Sequence, residues 1–392
     1  MSKILYGIFC MTLFSCSLME NKHNKGSFAY DLDFLCGKDS VIILTSGESK
    51  IIVSPKYQGK VFTSTSDGEN SFGWIHYSAF EGPLDPHMNA YGGENRLWLG
   101  PEGGKFSLFF AQDSKMEFQN WKTPSAFDSE PWEVKTKTAN MVSMKKDMQL
   151  VNYAGTKLSL SVARNISILE RSEIDALLNI KMESDIKAVG YETANTLTNT
   201  GNFAWNDTTG MPCLWLLDML KPSDHTTVVI PHRANAKPAT TDYFGEIAGD
   251  RIAYQNNVLF FKADGKSRGK LGIHPGAAEN VAGSYDTEKK ILTITMFDIS
   301  NGSYLNQEWN TTKDPLTGDA VNAYNDGPLA DGKQMGPFYE IESVSPAAFL
   351  QPRESLTHNH SVFHFTGSEE SLNMITMKVL GVSIDQIKTA LK

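Results

Sequence analysis

Glu340 and Glu342 lie two residues apart in Phe338–Val344, a run that reads as a β-strand. The two-residue period of a strand puts both carboxyl groups on one face, with Ile341 on the other. Such a pair divides general-acid and general-base work when the surroundings push the two pKa values apart, whereas on a solvated sheet face it has no function. The same alternation puts His358, His360 and His364 on one face of Thr357–Phe365, opposite Phe363 and Phe365. Imidazoles at i and i+2 suit metal ligation or general-acid work, or are half-buried side chains with neither role. His87 in DPHMN and His274 in GIHPG are further acid candidates in loop contexts.

Two stretches without strand character, 74–104 and 303–337, are dense in Gly, aromatic and polar residues. Loops this long in a compact domain are functional or disordered, and their aromatic content argues against disorder. Trp98, Trp309, Tyr324 and Tyr91 offer ring faces to the C–H side of a pyranose. Asn95, Arg96, Asn322, Asn325 and Asp326 offer the donors and acceptors that its hydroxyls need. The alternative is that Trp98 and Tyr324 are core aromatics under the loops. Within GDAVNAYNDG, Asp319 and Asp326 are candidate oxygen ligands for Ca2+, although the spacing is not that of an EF-hand and turns favour the same residue types. Together these residues point to a carbohydrate ligand, either turned over or only bound. No nucleophile elbow, HExxH, phosphate-binding Gly-rich loop or CxxC pair occurs, which argues against serine hydrolases, zincins and nucleotide-binding enzymes.

The elements that must position these residues are strands. Runs at Val41–Leu44, Ile51–Ser54, Val61–Ser64, Phe106–Phe110, Val134–Thr138, Met141–Lys145, Met148–Tyr153, Leu158–Leu169 and Ala176–Glu183 are broken by turn residues. Others follow at Ala188–Thr198, Leu214–Met219, Thr226–Ile230, Asn257–Ala263, Leu292–Met296, Pro337–Ser345 and Thr357–Phe365. So many short strands predict a mainly β chain, folded as one large β-sandwich with a short helix after Ser27 and helices over Ser368–Val379 and Ser383–Leu391. Ser383 and Gln386 form a capping-box pair.

The N-terminus reads differently. Lys3 precedes an apolar run, Ile4–Phe14, too short to span a bilayer, and Leu13-Phe14-Ser15-Cys16 resembles the lipobox of bacterial lipoproteins. Residues 1–16 are therefore expected to be a lipoprotein signal with lipid attachment at Cys16, the alternative being an ordinary secretory signal. Residues 17–26 form a polar tether, and 27–392 form the sandwich. The expected location is the bacterial cell envelope, with the membrane met only through the lipid. A net charge of −9 without a basic cluster argues against nucleic acid and anionic lipid surfaces. Beyond the signal, Cys36 and Cys213 make no disulfide framework and read as buried apolar residues.

The order of these features resembles the galactose mutarotase-like, or aldose epimerase-like, β-supersandwich superfamily. The resemblance rests on VIILTSGESKIIVSPKYQGKVFTSTS, on GGENR, on LTNTGN and on the closing FYEIESVSPAAFLQPRESLTHNHSVFHF. It is closer still to bacterial supersandwich lipoproteins with similar GDxxNxYNDG and GGENRxWLGPEGG stretches. The resemblance implies that Glu340 is the general base, that Pro352-Arg353-Glu354 is the turn after it, and that Asn95-Arg96 holds sugar hydroxyls; Glu342, on the same face as Glu340, is a further sugar-binding candidate. The mutarotases' two histidines have no counterpart in Phe118–Trp121 or Leu197–Asn202, so an acid would come from His274, His358 or His360.

Overall fold

The computed structural model describes residues 23–234, 239–329 and 331–391. The signal stretch, Cys16 and the tether up to residue 22 lie outside the described residues. After α1 (Phe28–Cys36), the strands β1 (Ile42–Ser46), β2 (Ser49–Ser54) and β3 (Lys60–Thr65) form an antiparallel meander. Val61 exchanges both backbone hydrogen bonds with Asn95, which joins β3 to a five-stranded sheet. That sheet runs β13 (Gly269–Ile273), β16 (Val321–Asn325), β17 (Tyr339–Val344), β9 (Cys213–Leu220) and β4 (Arg96–Gly100). The second layer has ten strands. Its order is β11 (Ile252–Gln255), β12 (Val258–Lys262), β10 (Thr226–Pro231), β14 (Val281–Asp286), β15 (Ile291–Phe297), β18 (Ser355–Thr366), β8 (Lys187–Asn199), β7 (Lys157–Ile168), β6 (Met141–Val151) and β5 (Glu133–Lys137).

The two layers bury different patterns. Along β8, buried and half-buried residues alternate over Tyr191–Asn199, as one core-facing side requires. In β9, CLWLLDML is buried throughout, and so are β4, β13, β16 and β17. A sheet buried on both faces has cover outside as well as inside, so its polar residues need partners. The outer side of the ten-stranded sheet is closed by α2 (Arg171–Leu178), α3 (Glu369–Val379) and α4 (Ile384–Thr389). Ile174, Leu372, Ile375 and Ile387 pack there on Phe260, Ile294, Phe363 and Phe365. β5 is exposed along its length, and its charged sequence, EVKTK, discourages further strand pairing.

The mainly β sandwich and the terminal helices are as expected, including the Ser27 cap and the capping box of Ser383 with Gln386. Several elements differ. Phe106–Phe110 is buried but turn-like, because its aromatics plug the core without a partner strand. Ala176–Glu183 overlaps a helix rather than a strand: Glu170 and Glu173 make a capping box that starts α2. Met141–Lys145 and part of Met148–Tyr153 are one continuous strand paired with β7. The two long loops each contain a strand, β4 with Arg96 and Trp98 in the first and β16 with Asn322 and Tyr324 in the second. Of the two cysteines, Cys213 is buried and Cys36 is exposed at the end of α1.

Candidate functional site

Alternation assembles one group of side chains on the outer face of the five-stranded sheet. Tyr324 lies opposite both Glu340 and Lys270, Asn322 opposite Glu342, Glu340 opposite Met219, and Trp98 opposite Trp215. Four ionisable groups therefore share a buried surface, which is costly unless they are paired. The Arg96 guanidinium reaches across β9 to donate to Glu340 Oε1. Lys270 Nζ lies 3.0 Å from Glu342 Oε2, and Trp215 Nε1 donates to the same oxygen at 2.9 Å.

Aromatic rings wall this face. The Arg96 guanidinium sits over the Trp98 ring at 4.9 Å, and Lys270 sits over Trp215 at 4.6 Å. Tyr243 and Phe244, from the segment before β11, cover the far end. Tyr243 donates to Asp319 at 2.6 Å, and Phe244 packs edge-on to Tyr324. Trp309 stacks on Trp121, and Trp74 packs on Phe338. Burial pushes the Glu340 carboxyl up to about 7; Arg96 opposes this rise and Glu342 reinforces it. Burial also raises Glu102, Asp319 and Asp326, with Lys270 the main opposing influence on Glu102. Buried atoms here without a hydrogen-bond partner among the described residues include Arg96 Nε, Glu342 Oε1 and Asn322 Oδ1.

Of the residues singled out from sequence, Arg96, Trp98, Asn322, Tyr324, Glu340 and Glu342 meet on this face. Asp326 accepts the Tyr324 hydroxyl at 2.8 Å, and Trp309 is at the wall. Others do not join them. Asn95 points the opposite way from Arg96, because adjacent strand residues face opposite sides, and it donates to Asp218 between the layers at 2.6 Å. Asn325 also faces inward, accepting from Gly265 N–H and donating to the Ser267 carbonyl, which holds the turn before β13. His274 is exposed, and its ring accepts from Gly276 N–H. His358, His360 and His364 share a face as expected, but that face is the buried interface between the layers, opposite to the side that carries Glu340. Among the described residues no three His, Cys, Asp or Glu side chains gather as a metal ion requires. Asp319 and Asp326, the Ca2+ candidates, each accept a tyrosine hydroxyl. A cleft of about 210 Å3 at the sandwich edge, lined by Lys221, Asp286, Tyr339 and His364, is separate from this face.

Sequence reasoning missed Glu102, Trp215, Tyr243 and Lys270. Trp215 sits in an unbroken apolar run, which reads as core, and Tyr243 carries no strand signal. Lys270 had a readable sign: a lysine between glycines in GKLGI, a run otherwise fit for burial.

The interlayer histidines belong to a polar chain. His358 Nε2 and His360 Nδ1 both contact Ser343 Oγ at 2.8 Å, and His360 Nε2 contacts Asp218 Oδ2 at 2.7 Å. Ser343, His360 and Asp218 follow one another as in a catalytic triad, but with the two ring nitrogens exchanged, and all three lie buried between the layers. Burial, helped by His360, pushes His358 down to about 3. An unfolded chain takes up a proton near pH 6.5 that the fold refuses, so this site's stability is complete above about pH 6.5 and is lost as pH falls from there towards about 3. Urea midpoints measured between pH 7 and 5 should fall less steeply in His358→Asn than in the parent. Parallel slopes would mean that the imidazole is accessible.

The fold is the galactose mutarotase-like sandwich, and solved structures match along most of the chain. A galactose mutarotase-like protein from Lactobacillus casei ATCC 334 superposes with a TM-score of 0.50 at 11% identity, covering 83% of this chain and 100% of its own. A protein from Synechocystis sp. PCC 6803 superposes with a TM-score of 0.51 at 13% identity, covering 84% and 96%. No curated protein sequence matches this one. A family model matches residues 26–391, and the chain belongs to that family, a family of unknown function (DUF6786).

Proposed function

We propose that the outer face of the five-stranded sheet binds a carbohydrate and that Glu340 moves a proton on it. The observation that carries this reading is a buried carboxyl near neutrality, held by Arg96 among Trp98, Trp215 and Tyr324, beside three polar atoms without protein partners. Stacked rings suit the C–H face of a sugar, and Arg96 Nε, Glu342 Oε1 and Asn322 Oδ1 suit its hydroxyls. A base with a pKa near 7 exists in both protonation states at neutral pH, as proton transfer requires. Glu340 would take a hydroxyl proton and return it, while Arg96 orients the carboxylate and Lys270 keeps Glu342 in place.

A second reading is non-catalytic glycan binding at the same face. It is favoured by one fact: among the described residues Glu340 is hydrogen-bonded to Arg96 and to no histidine. Export by lipid anchoring at Cys16, with the sugar met in the envelope, completes the proposal and rests on Lys3, Ile4–Phe14 and Cys16 alone.

A thermal-shift screen against aldoses, uronic acids and oligosaccharides tests the reading. A ligand at about 100 times its dissociation constant adds about 2.7 kcal/mol of stability, an easily seen shift. Each sugar that shifts the melt is then followed by NMR for exchange between anomers or for new product. A shift with turnover supports the enzyme, a shift without it supports the binder, and a flat screen on folded protein removes the carbohydrate reading.

A further inference from the structure

We propose that Lys60 and Arg96 form a subsite for an anionic substituent, so that the sugar held against Glu340 is an acidic one, a uronate or a sulfate or phosphate ester. This rests on the carbohydrate reading of the same face. Val61 and Asn95 exchange N–H···O bonds of 3.1 and 3.0 Å, so the next pair along sets Lys60 opposite Arg96 on neighbouring strands. Like charges directly opposite destabilise a strand pair, and here both are buried, with 2% and 4% exposure.

Their compensation is incomplete. Arg96 is paired with Glu340, but its Nε has no partner, and Lys60 forms no ion pair among the described residues. Lys60 Nζ donates to one acceptor, the Gly92 carbonyl at 3.0 Å. Asp128 is the other carboxylate in their field, but it is committed to Asn89, accepting from its backbone N–H at 3.0 Å and from Nδ2 at 2.6 Å. Burial first, and Arg96 second, push the Lys60 ammonium well below its usual range.

The placement of Lys60 is specified by its surroundings. Gly93 has φ +124°, and a Cβ there would stand 2.7 Å from Lys60 Cδ, so the second glycine of GGENR leaves room for the lysine stem. A bound anion would accept from Lys60 Nζ and Arg96 Nε together and supply the missing negative charge. A neutral hydroxyl supplies only the hydrogen bond, and bonds between charged partners are roughly twice as strong.

Calorimetric titration of the protein with galactose, galacturonate, galactose 6-sulfate and galactose 6-phosphate, the same glucose series, and sodium sulfate alone decides the matter. The expected result is that one acidic form binds about tenfold or more tighter than its neutral parent. In Lys60→Met that ratio falls towards one, and Lys60→Arg retains it. Neutral sugars binding as well as every acidic form would overturn the subsite and leave the carbohydrate reading standing. No sugar binding, with or without binding of sulfate alone, would overturn both. The wild-type comparison decides even where Lys60→Met does not fold.

Discussion

Glu340→Gln is expected to lower turnover of the sugar by about a hundred- to ten-thousand-fold while changing its affinity by less than about tenfold. The substitution keeps a carbonyl oxygen where Glu340 Oε1 accepts from Arg96, so the geometry that orients the group survives. What is lost is the ability to hold a proton and release it. The pH dependence follows from the same environment. Burial raises the Glu340 carboxyl to about 7, so the ionised base accumulates as pH rises through that value. Turnover in the parent should therefore climb through about pH 7, and the residual rate of Glu340→Gln should lack that limb. The measurement is anomer exchange or product formation by NMR across pH 5.5–8.5, with affinity from calorimetry. Equal losses of rate and affinity would make Glu340 a binding group, and an unchanged rate would place the chemistry elsewhere.

Much of this face was legible because strands obey a period of two. Glu340 and Glu342 had to share a side once Phe338–Val344 was read as a strand, and β17 holds them so. The same rule grouped His358, His360 and His364 correctly, but alternation says which residues share a face, not which face looks at solvent. That depends on a partner layer far away in sequence: β8 and β15 flank β18, and Asp218 and Glu94 wait across the interface. Asn95 and Arg96, read together as a sugar-holding unit, face opposite sides for the converse reason, since neighbours in an extended chain diverge. β4 and β16 were hidden in loops because RLWLG and VNAYN are short and flanked by glycines, and their strand character comes from β9 and β17 beside them. The pairing of Lys60 with Arg96 spans 36 residues of sequence and was not readable from either segment alone.

Asp218→Ala is expected to destabilise the protein by about 3–5 kcal/mol, as the removal of one partner from a buried charge network does. Asp218 is fully buried on β9 and accepts from Asn95 Nδ2, just before β4, and from His360 on β18. Asn95 Oδ1 in turn accepts from the Arg164 guanidinium of β7, which Asp218 helps to keep charged against a burial that pushes it down to about 10. Without the carboxylate, Arg164 stays in the core with no opposing charge among these partners, and Asn95 and His360 each lose an acceptor. Urea unfolding would read the loss as a lower midpoint at an unchanged slope. In a cycle with Arg164→Met, the double variant should lose less than the sum of the two single changes, because the stranded cation is then gone. A loss below about 1 kcal/mol, or strict additivity, would mean that the network is solvated and not structural. The consequence reaches the candidate site through the strands themselves. Asn95 is followed by Arg96, Asp218 lies between Leu217 and Met219, and Ser343 follows Glu342. On each of these three strands of the outer face, the neighbouring inward residue is a member of the interlayer chain. Loosening that chain by substituting Asp218 should therefore disturb the Arg96–Glu340 pair and sugar affinity at temperatures where the fold persists, although Asp218 itself never meets the ligand.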